Sequence, residues 1–194
     1  GCSMGAVIGG IYCAGEDMYE LQSTALSISE RTFLDLGRPH KGVLRGKKTE
    51  EYIDTLCKGK TFEECVIPFC AAATDLVTSR TVPLTSGRLS RAIRASISIP
   101  GVFEPVDWED MTLVDGGVTD RVPVDLCRDV LGAQYVIAVD VAFRGWRRSK
   151  PTNIIQTIYQ SFETSDWCNV RNALPNSDIV IAPVSYTHLR AHET

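Results

Sequence analysis

The chain is 194 residues long, 44% hydrophobic and 23% charged, a balance that supports a buried core in one domain and excludes a disordered polypeptide. Its 20 basic and 24 acidic side chains leave a formal net charge of −4, which excludes a phosphate-tracking nucleic-acid surface and a polybasic membrane anchor. No apolar run reaches the roughly eighteen residues of a membrane-spanning helix, and seven cysteines without C-x-x-C spacing read as reduced core residues in a cytoplasmic setting.

Gly1-Cys2-Ser3-Met4-Gly5 is G-x-S-x-G, the pattern of a nucleophile elbow, in which glycines on both flanks avoid the clash a Cβ would make in the sharp strand-to-helix turn. Ala6 to Ala14 are small or apolar and predict a buried helix whose N-terminus favours negative charge developing at Ser3. Asp17 and Glu20 have capping-box spacing and open a second helix with Met18, Leu21, Ala25 and Ile28 on its apolar face. Residues 37–48 form a basic, glycine-bearing surface loop, after which Thr49 with Glu50 and Glu51 caps a helix carrying Tyr52, Ile53, Leu56 and Cys57.

The centre of the chain reads as sheet. Val66 to Ala73 is a nearly continuous apolar run, the pattern of a strand buried on both faces, with Pro68 marking an early or edge position and Asp75 following it. Residues 82–84 are a short extended piece, and Leu89, Ile93 and Ile97 share one face of a helix ended by Pro100-Gly101. Asp107 to Asp110 read as a hairpin turn, from which Met111 to Val114 return as a strand ending in Asp115-Gly116-Gly117. Pro123, Leu126, Val130 and Leu131 mark a further helix with Gly132 as its C-cap. Residues 135–141 predict another buried strand, 152–168 a helix with Ile154, Ile155, Ile158 and Phe162 on its packing face, and 177–183 a last strand. Residues 184–194 have neither period nor cap and are similar to translated sequencing-adaptor sequence; the expected domain is therefore 1–183, with 184–194 a non-native tail.

A serine hydroxyl needs a neighbouring base to become a nucleophile, and the usual base is histidine. Only His40, His188 and His192 are present, two in the tail and one in the basic loop, so a Ser-Asp pair is the simplest arrangement left. Asp115 is the candidate, an acid immediately after a strand with two glycines that admit close approach. Asp75 and Asp140 also follow apolar strands and compete for the role, each having the alternative of accepting hydrogen bonds from its own loop. Ser96 and Ser98 are further hydroxyls, but without an elbow they read as packing or capping groups.

Together the elbow, Ala73-Thr74-Asp75-Leu76, the run from Ile93 to Phe103, Asp115-Gly116-Gly117, Arg121-Val122-Pro123-Val124 and Val136 to Asp140 resemble bacterial patatin-like phospholipases in order and spacing, over residues 1 to 183. The resemblance implies a three-layer α/β/α fold with a central, mostly parallel sheet, here lacking its first strand and the glycine-rich oxyanion loop that precede the elbow in that family. It implies a serine acyl hydrolase acting on phospholipids or lysophospholipids through an acyl-enzyme, with Ser3 as nucleophile and Asp115 as general base. Gly1, Gly5, Gly116 and Gly117 support the two motifs, and the Met4 backbone N–H supplies half of an oxyanion hole. No metal or cofactor is implied, the contact expected is peripheral, with a membrane or micelle surface, and no nucleic acid is a partner. Two other readings stay open, a non-catalytic lipid-binding or regulatory protein of the same fold and an acyltransferase. Because losing one oxyanion donor typically costs about a hundredfold to a thousandfold in turnover, the chain as given is expected to be inactive or nearly so beside a longer, active parent. Ile97, Ile99, Val102 and Phe103 are candidates for an acyl path, with core packing as the alternative.

Overall fold

A computed structural model describes residues 1–19, 22, 35, 42–141 and 150–183. The predicted helix beyond Tyr19, His40 with most of the basic loop, and the 184–194 tail lie outside the described residues. In chain order the elements are α1 (Met4–Cys13), β1 (Gly42–Leu44), α2 (Lys47–Leu56), β2 (Ala71–Asp75), β3 (Arg80–Leu84), α3 (Leu89–Ser96), β4 (Gly101–Phe103), β5 (Val106–Trp108), β6 (Met111–Asp115), α4 (Val124–Asp129), β7 (Ile137–Val139), α5 (Ile154–Ala173) and β8 (Ile179–Ile181). Short 3-10 turns at Phe62–Glu64, Gly116–Val118 and Leu174–Asn176 complete the described elements.

The α/β fold with a central sheet is as expected, but the direction of pairing differs. The four-stranded sheet runs β3-β2-β6-β5, and every one of its ladders is antiparallel. Chain connectivity explains two of the three ladders, β2 with β3 and β5 with β6. The few residues between β2 and β3, and the Glu109-Asp110 turn between β5 and β6, are too short for the crossover that a parallel pair requires. Parallel pairing is confined, among the described residues, to β1 with β4, β7 with β8, and the bridge between Cys2 and Ala72.

β2 is the middle of the molecule. All five of its residues are buried, and alanines at 71, 72 and 73 leave room for α1 and α3 to pack close to the sheet. The strand is shorter than the 66–73 apolar run predicted: Val66 and Ile67 are exposed, and their N–H groups both bond the Cys13 carbonyl at the end of α1 instead of a sheet neighbour. The main core joins α1, α2 and α3 to this sheet through Ile11, Ile53, Leu89, Ile93 and Leu113, with Phe62 and Phe69 stacked at 5.6 Å between ring centroids. A smaller cluster of Val122, Val124, Val136, Ala138 and Val170 packs α4, α5 and β7 together.

Several faces depart from the sequence expectation. α2 starts two residues before Thr49, which is buried in its first turn; the cap is Asp35, whose carboxylate accepts from Gly46 N at 2.9 Å and Lys48 N at 3.1 Å. α4 stops at Asp129, so Val130 and Leu131 lie outside it and are exposed. On α5 the exposed side chains include Ile154 and Ile158, while among its described side chains Asp166 and Val170 are the buried ones. β7 alternates, Ile137 and Val139 outward and Ala138 inward, where a strand buried on both faces was expected. The seven cysteines are all unbridged, Cys2, Cys13, Cys57 and Cys70 buried and Cys168 exposed.

Arg94 is the most unusual core residue, a guanidinium 2% exposed on the inner face of α3. Its nitrogens donate to the carbonyls of Gly46 at 3.1 Å, Arg45 at 2.6 Å and Glu104 at 2.9 Å and to Ser98 Oγ at 2.5 Å, and its carbon lies 4.8 Å from the centre of the Phe103 ring. Each nitrogen donates at least once, so the cost of burying the charge is offset by charge-assisted hydrogen bonds that join three loops to one helix.

Candidate active site

The elbow forms because residues 1–2 extend the sheet and residue 4 begins a helix. Ala72 N donates to Gly1 O at 2.8 Å and Gly1 N to Cys70 O at 2.7 Å, placing the start of the chain beside β2, and the chain then reverses at Ser3 with φ 52° and ψ −124°. A left-handed φ on a residue with a side chain is strained by about 1–3 kcal/mol and recurs at functional sites. The reversal is tight enough that a Cβ on Gly1 would stand 2.4 Å from the Gly5 carbonyl oxygen. Gly5 itself faces open space, so the expected steric need for glycine holds at the first flank and not at the second.

Ser3 is held from behind by a residue whose role the sequence reading missed. Ser96 Oγ, at the end of α3, accepts from Ser3 N at 3.0 Å and donates to Ala72 O at 2.6 Å, tying the elbow to β2. Two residues later, Ser98 O accepts from Asp115 N at 3.0 Å. The same short segment therefore positions the serine and the acid. A hydroxyl pair closing an apolar helix was the available signal, but neither partner is near in sequence.

Asp115 ends β6 directly opposite Ala73 of β2. Its Oδ2 accepts from Ser3 Oγ at 2.6 Å, and its Oδ1 accepts from Gly117 N at 2.8 Å. The carboxyl group is 4% exposed. Burial pushes its pKa above the ordinary carboxylate value, against the pull of the Ser3 hydroxyl, the Gly117 N–H and the Arg121 charge. Gly116 is required here, since a Cβ on it would meet the Ala72 carbonyl oxygen at 2.4 Å.

The competing acids occupy other positions. Asp75 accepts from Val77 N, Thr78 N, Thr78 Oγ1 and Thr112 N, so it closes the turn after β2 and joins it to β6; the Thr78 hydroxyl bond comes first among the causes that lower its pKa. Asp140 is buried after β7, where its own N–H donates to Ile181 O at 2.9 Å. Of the three candidates, Asp115 is the one that meets Ser3.

A cavity of about 500 Å³ opens at Ser3. The elbow forms one side, and Arg121, Val122, Val136, Val139 and Asp140 are among the other lining residues. The Met4 N–H, at the N-terminus of the ten-residue α1, carries no hydrogen bond among the described residues and is the donor next to the serine. Among the described residues no group of three or more His, Cys, Asp or Glu side chains is suited to a metal ion, and no helix is long and apolar enough to cross a membrane. Of the acyl-path candidates, Phe103 lies against Arg94 and Val102 is exposed, and none of the four lines this cavity.

The sequence is 36% identical over 148 residues to an uncharacterized NTE family protein of Mycobacterium bovis, covering 75% of this chain and 40% of that protein. It is 32% identical over 152 residues to patatin-like phospholipase domain-containing protein 7 of Rattus norvegicus, covering 74% and 11% of the two chains. It is 29% identical over 147 residues to lysophospholipase NTE1 of Scheffersomyces stipitis, covering 73% and 9%. The chain thus spans two fifths or less of the length of these relatives. The patatin-like phospholipase family profile matches residues 1–128, two thirds of the chain, and with the α/β fold this shows that the chain belongs to the patatin-like phospholipase family.

Proposed function

We propose that residues 1–183 form a patatin-like catalytic domain, a serine acyl hydrolase that cleaves fatty acyl esters of phospholipids or lysophospholipids through a Ser3–Asp115 dyad. The observation that carries this reading is the 2.6 Å hydrogen bond from Ser3 Oγ to Asp115 Oδ2 at a strained elbow beside the cavity. In the first step Ser3 Oγ attacks the acyl carbonyl carbon while its proton passes to Asp115 Oδ2. The tetrahedral oxyanion is stabilised by the Met4 N–H and the positive end of α1. Collapse breaks the ester bond, and Asp115 returns the proton to the leaving alcohol. Water then gives a proton to the same carboxylate and attacks the acyl-enzyme, releasing the fatty acid and restoring Ser3.

The substrate class rests on the family and on the lysophospholipase among the relatives, with Val122, Val136 and Val139 beside the serine offering apolar surface to an acyl chain. The test is labelling by a fluorophosphonate, which reports an activated serine without a choice of lipid, made on residues 1–194 and on a longer version carrying a strand and a glycine-rich loop placed ahead of Gly1. Labelling that disappears in Ser3→Ala and falls at least a hundredfold in Asp115→Ala is the expected result. Folded protein of both lengths that never labels would refute hydrolysis and favour a non-catalytic lipid binder. Release of free fatty acid from a lysophospholipid, rather than its transfer to an added alcohol, separates hydrolase from acyltransferase.

A further inference from the structure

Beyond the Ser3–Asp115 pair, one ion pair between a half-buried arginine and a buried acid anchors the loop that follows β6. After Asp115 the chain makes the Gly116–Val118 turn and arrives at Arg121, whose side chain lies against Gly117: a Cβ on that glycine would stand 3.8 Å from Arg121 Nε. Arg121 Nη1 meets Asp166 Oδ2 at 2.6 Å, and the Asp166 side chain is 1% exposed on the inner face of α5. Neither Asp166 oxygen has a hydrogen bond of good geometry, so Arg121 is the group that compensates this buried carboxylate. The loop 116–121 is therefore fastened at both ends, at one by Gly117 N on Asp115 Oδ1 and at the other by Arg121 on Asp166.

We propose that Arg121, seated on the buried Asp166 carboxylate, is a positioning residue that holds Asp115 charged and correctly turned as the base for Ser3. This rests on the Ser3–Asp115 dyad and deepens it. Burial favours the protonated form of Asp115, which does not accept the serine proton; the Ser3 hydroxyl and the Gly117 N–H oppose that, and after them Arg121 is the positively charged side chain that draws Asp115 downward. The fastened loop also holds Gly117 N against Oδ1, which turns Oδ2 toward Ser3 Oγ.

The other charged or titratable groups around this carboxylate do not replace Arg121. The elbow brings the Gly1 amino group, which is turned to the Cys70 carbonyl at 2.7 Å, and the Cys2 thiol, neutral because burial raises its pKa. The loop brings Asp120, pushed up to about 6 by burial and by Asp125. α5 brings Asp166 and Glu163, and the end of β7 brings Asp140; all three acids are negative when ionised. β2 and α3 face the acid with backbone and with the hydroxyls of Thr74, Ser96 and Ser98.

The experiment is a carbon-13 NMR titration of the aspartate carboxyls in residues 1–194, with Asp115 assigned by its disappearance in Asp115→Asn. Fluorophosphonate labelling against pH is measured in parallel. In Arg121→Gln the Asp115 midpoint moves to higher pH, corresponding to about a tenfold gain in proton affinity, and the acid limb of labelling moves with it. Arg121→Lys, which keeps the charge, stays within about twofold of wild type. Arg121→Gln also leaves Asp166 buried without its cation and risks unfolding. The double variant Arg121→Gln/Asp166→Asn removes both charges, and its Asp115 midpoint lies between wild type and Arg121→Gln. If the single variant does not fold, a double-variant midpoint above wild type supports the assignment. An Asp115 midpoint unchanged in the double variant, or unchanged in a folded Arg121→Gln, overturns it. Titrations that move as expected while neither residues 1–194 nor the longer version ever labels leave the electrostatic assignment standing and reject the hydrolase reading, so the two failures are distinguishable.

Discussion

At the scale of single residues the site is a compromise between folding and chemistry. Asp115 has its pKa raised above the unfolded value by burial, so its ionised form is disfavoured by folding: the group weakens the fold above its unfolded pKa, and the penalty disappears as pH falls below that value. Asp115→Asn keeps the shape and removes the charge. It is expected to abolish fluorophosphonate labelling while leaving the Tm at pH 7 equal to or above that of wild type, and a lower Tm would show that the charged carboxylate stabilises the fold. Gly116 gives the opposite kind of site, where the constraint is steric. Gly116→Ala places a methyl group 2.4 Å from the Ala72 carbonyl oxygen, and the backbone shift that relieves it is expected to cost about 1–3 kcal/mol in a urea titration. Gly5→Ala meets nothing within 4 Å and is expected to be neutral in the same measurement.

At the scale of elements, stability at the site depends on loops being joined to helices by buried polar groups. Arg94 binds the carbonyls of Arg45, Gly46 and Glu104 from α3. Arg94→Met fills much of the volume but leaves those acceptors without their donor, and each buried unsatisfied group costs about 1–3 kcal/mol. The expected loss is about 3 kcal/mol or more by chemical denaturation, and Arg94→Lys, with three donors on a single nitrogen, is expected to recover only part of it. Local reading of such elements has a clear limit. The helix of α2 was legible from Ile53 and Leu56, but its start was not, because Asp35 caps it from outside the helix. Part of the packing face of α5 was misjudged for the same reason: isoleucines at 154 and 158 have helical spacing yet are exposed, Phe162 is half-buried, and the buried positions among the described side chains are Asp166 and Val170, set by Arg121 and by the small cluster around Val136.

At the scale of the whole molecule two pairs of acids have opposite effects on stability. Asp75 and Asp178 have lowered pKa values, the first chiefly through the Thr78 hydroxyl and the second chiefly through the Val136 N–H. Their stabilisation is present above the unfolded pKa and is lost as pH falls through the folded value. Asp120 and Asp166 are pushed up to about 6, in each case chiefly by burial, so the cost of ionising them falls away as pH drops through that value. The sum predicts that the protein is more stable near about pH 5 than at pH 7 and unfolds steeply only in stronger acid. Thermal melts across pH 3 to 8 check this; a maximum at or above pH 7 would contradict it.

The division between what was legible and what was not follows interaction range. The elbow, the helix behind it, the strand ending in Asp115-Gly116-Gly117 and the existence of the hairpin before it were readable, because each is specified by neighbours in sequence: a steric need at Gly1, an apolar run in α1, a polar turn; the turn expected over Asp107 to Asp110 narrows to Glu109-Asp110, since Asp107 and Trp108 belong to β5. The expectation of an acid partner for Ser3 was drawn from three histidines in unsuitable segments, and those histidines lie outside the described residues. Only the tertiary structure decided which acid meets the serine, since Asp75 and Asp140 follow strands of the same kind and differ from Asp115 in where the sheet places them. It also decided the antiparallel centre of the sheet, the support of Ser3 by Ser96, and the seating of Arg121 on Asp166 across 45 residues of chain. Hydrogen bonds and charges act across a few ångströms of space whatever the sequence separation, and residue patterns record only the neighbours that the chain itself supplies.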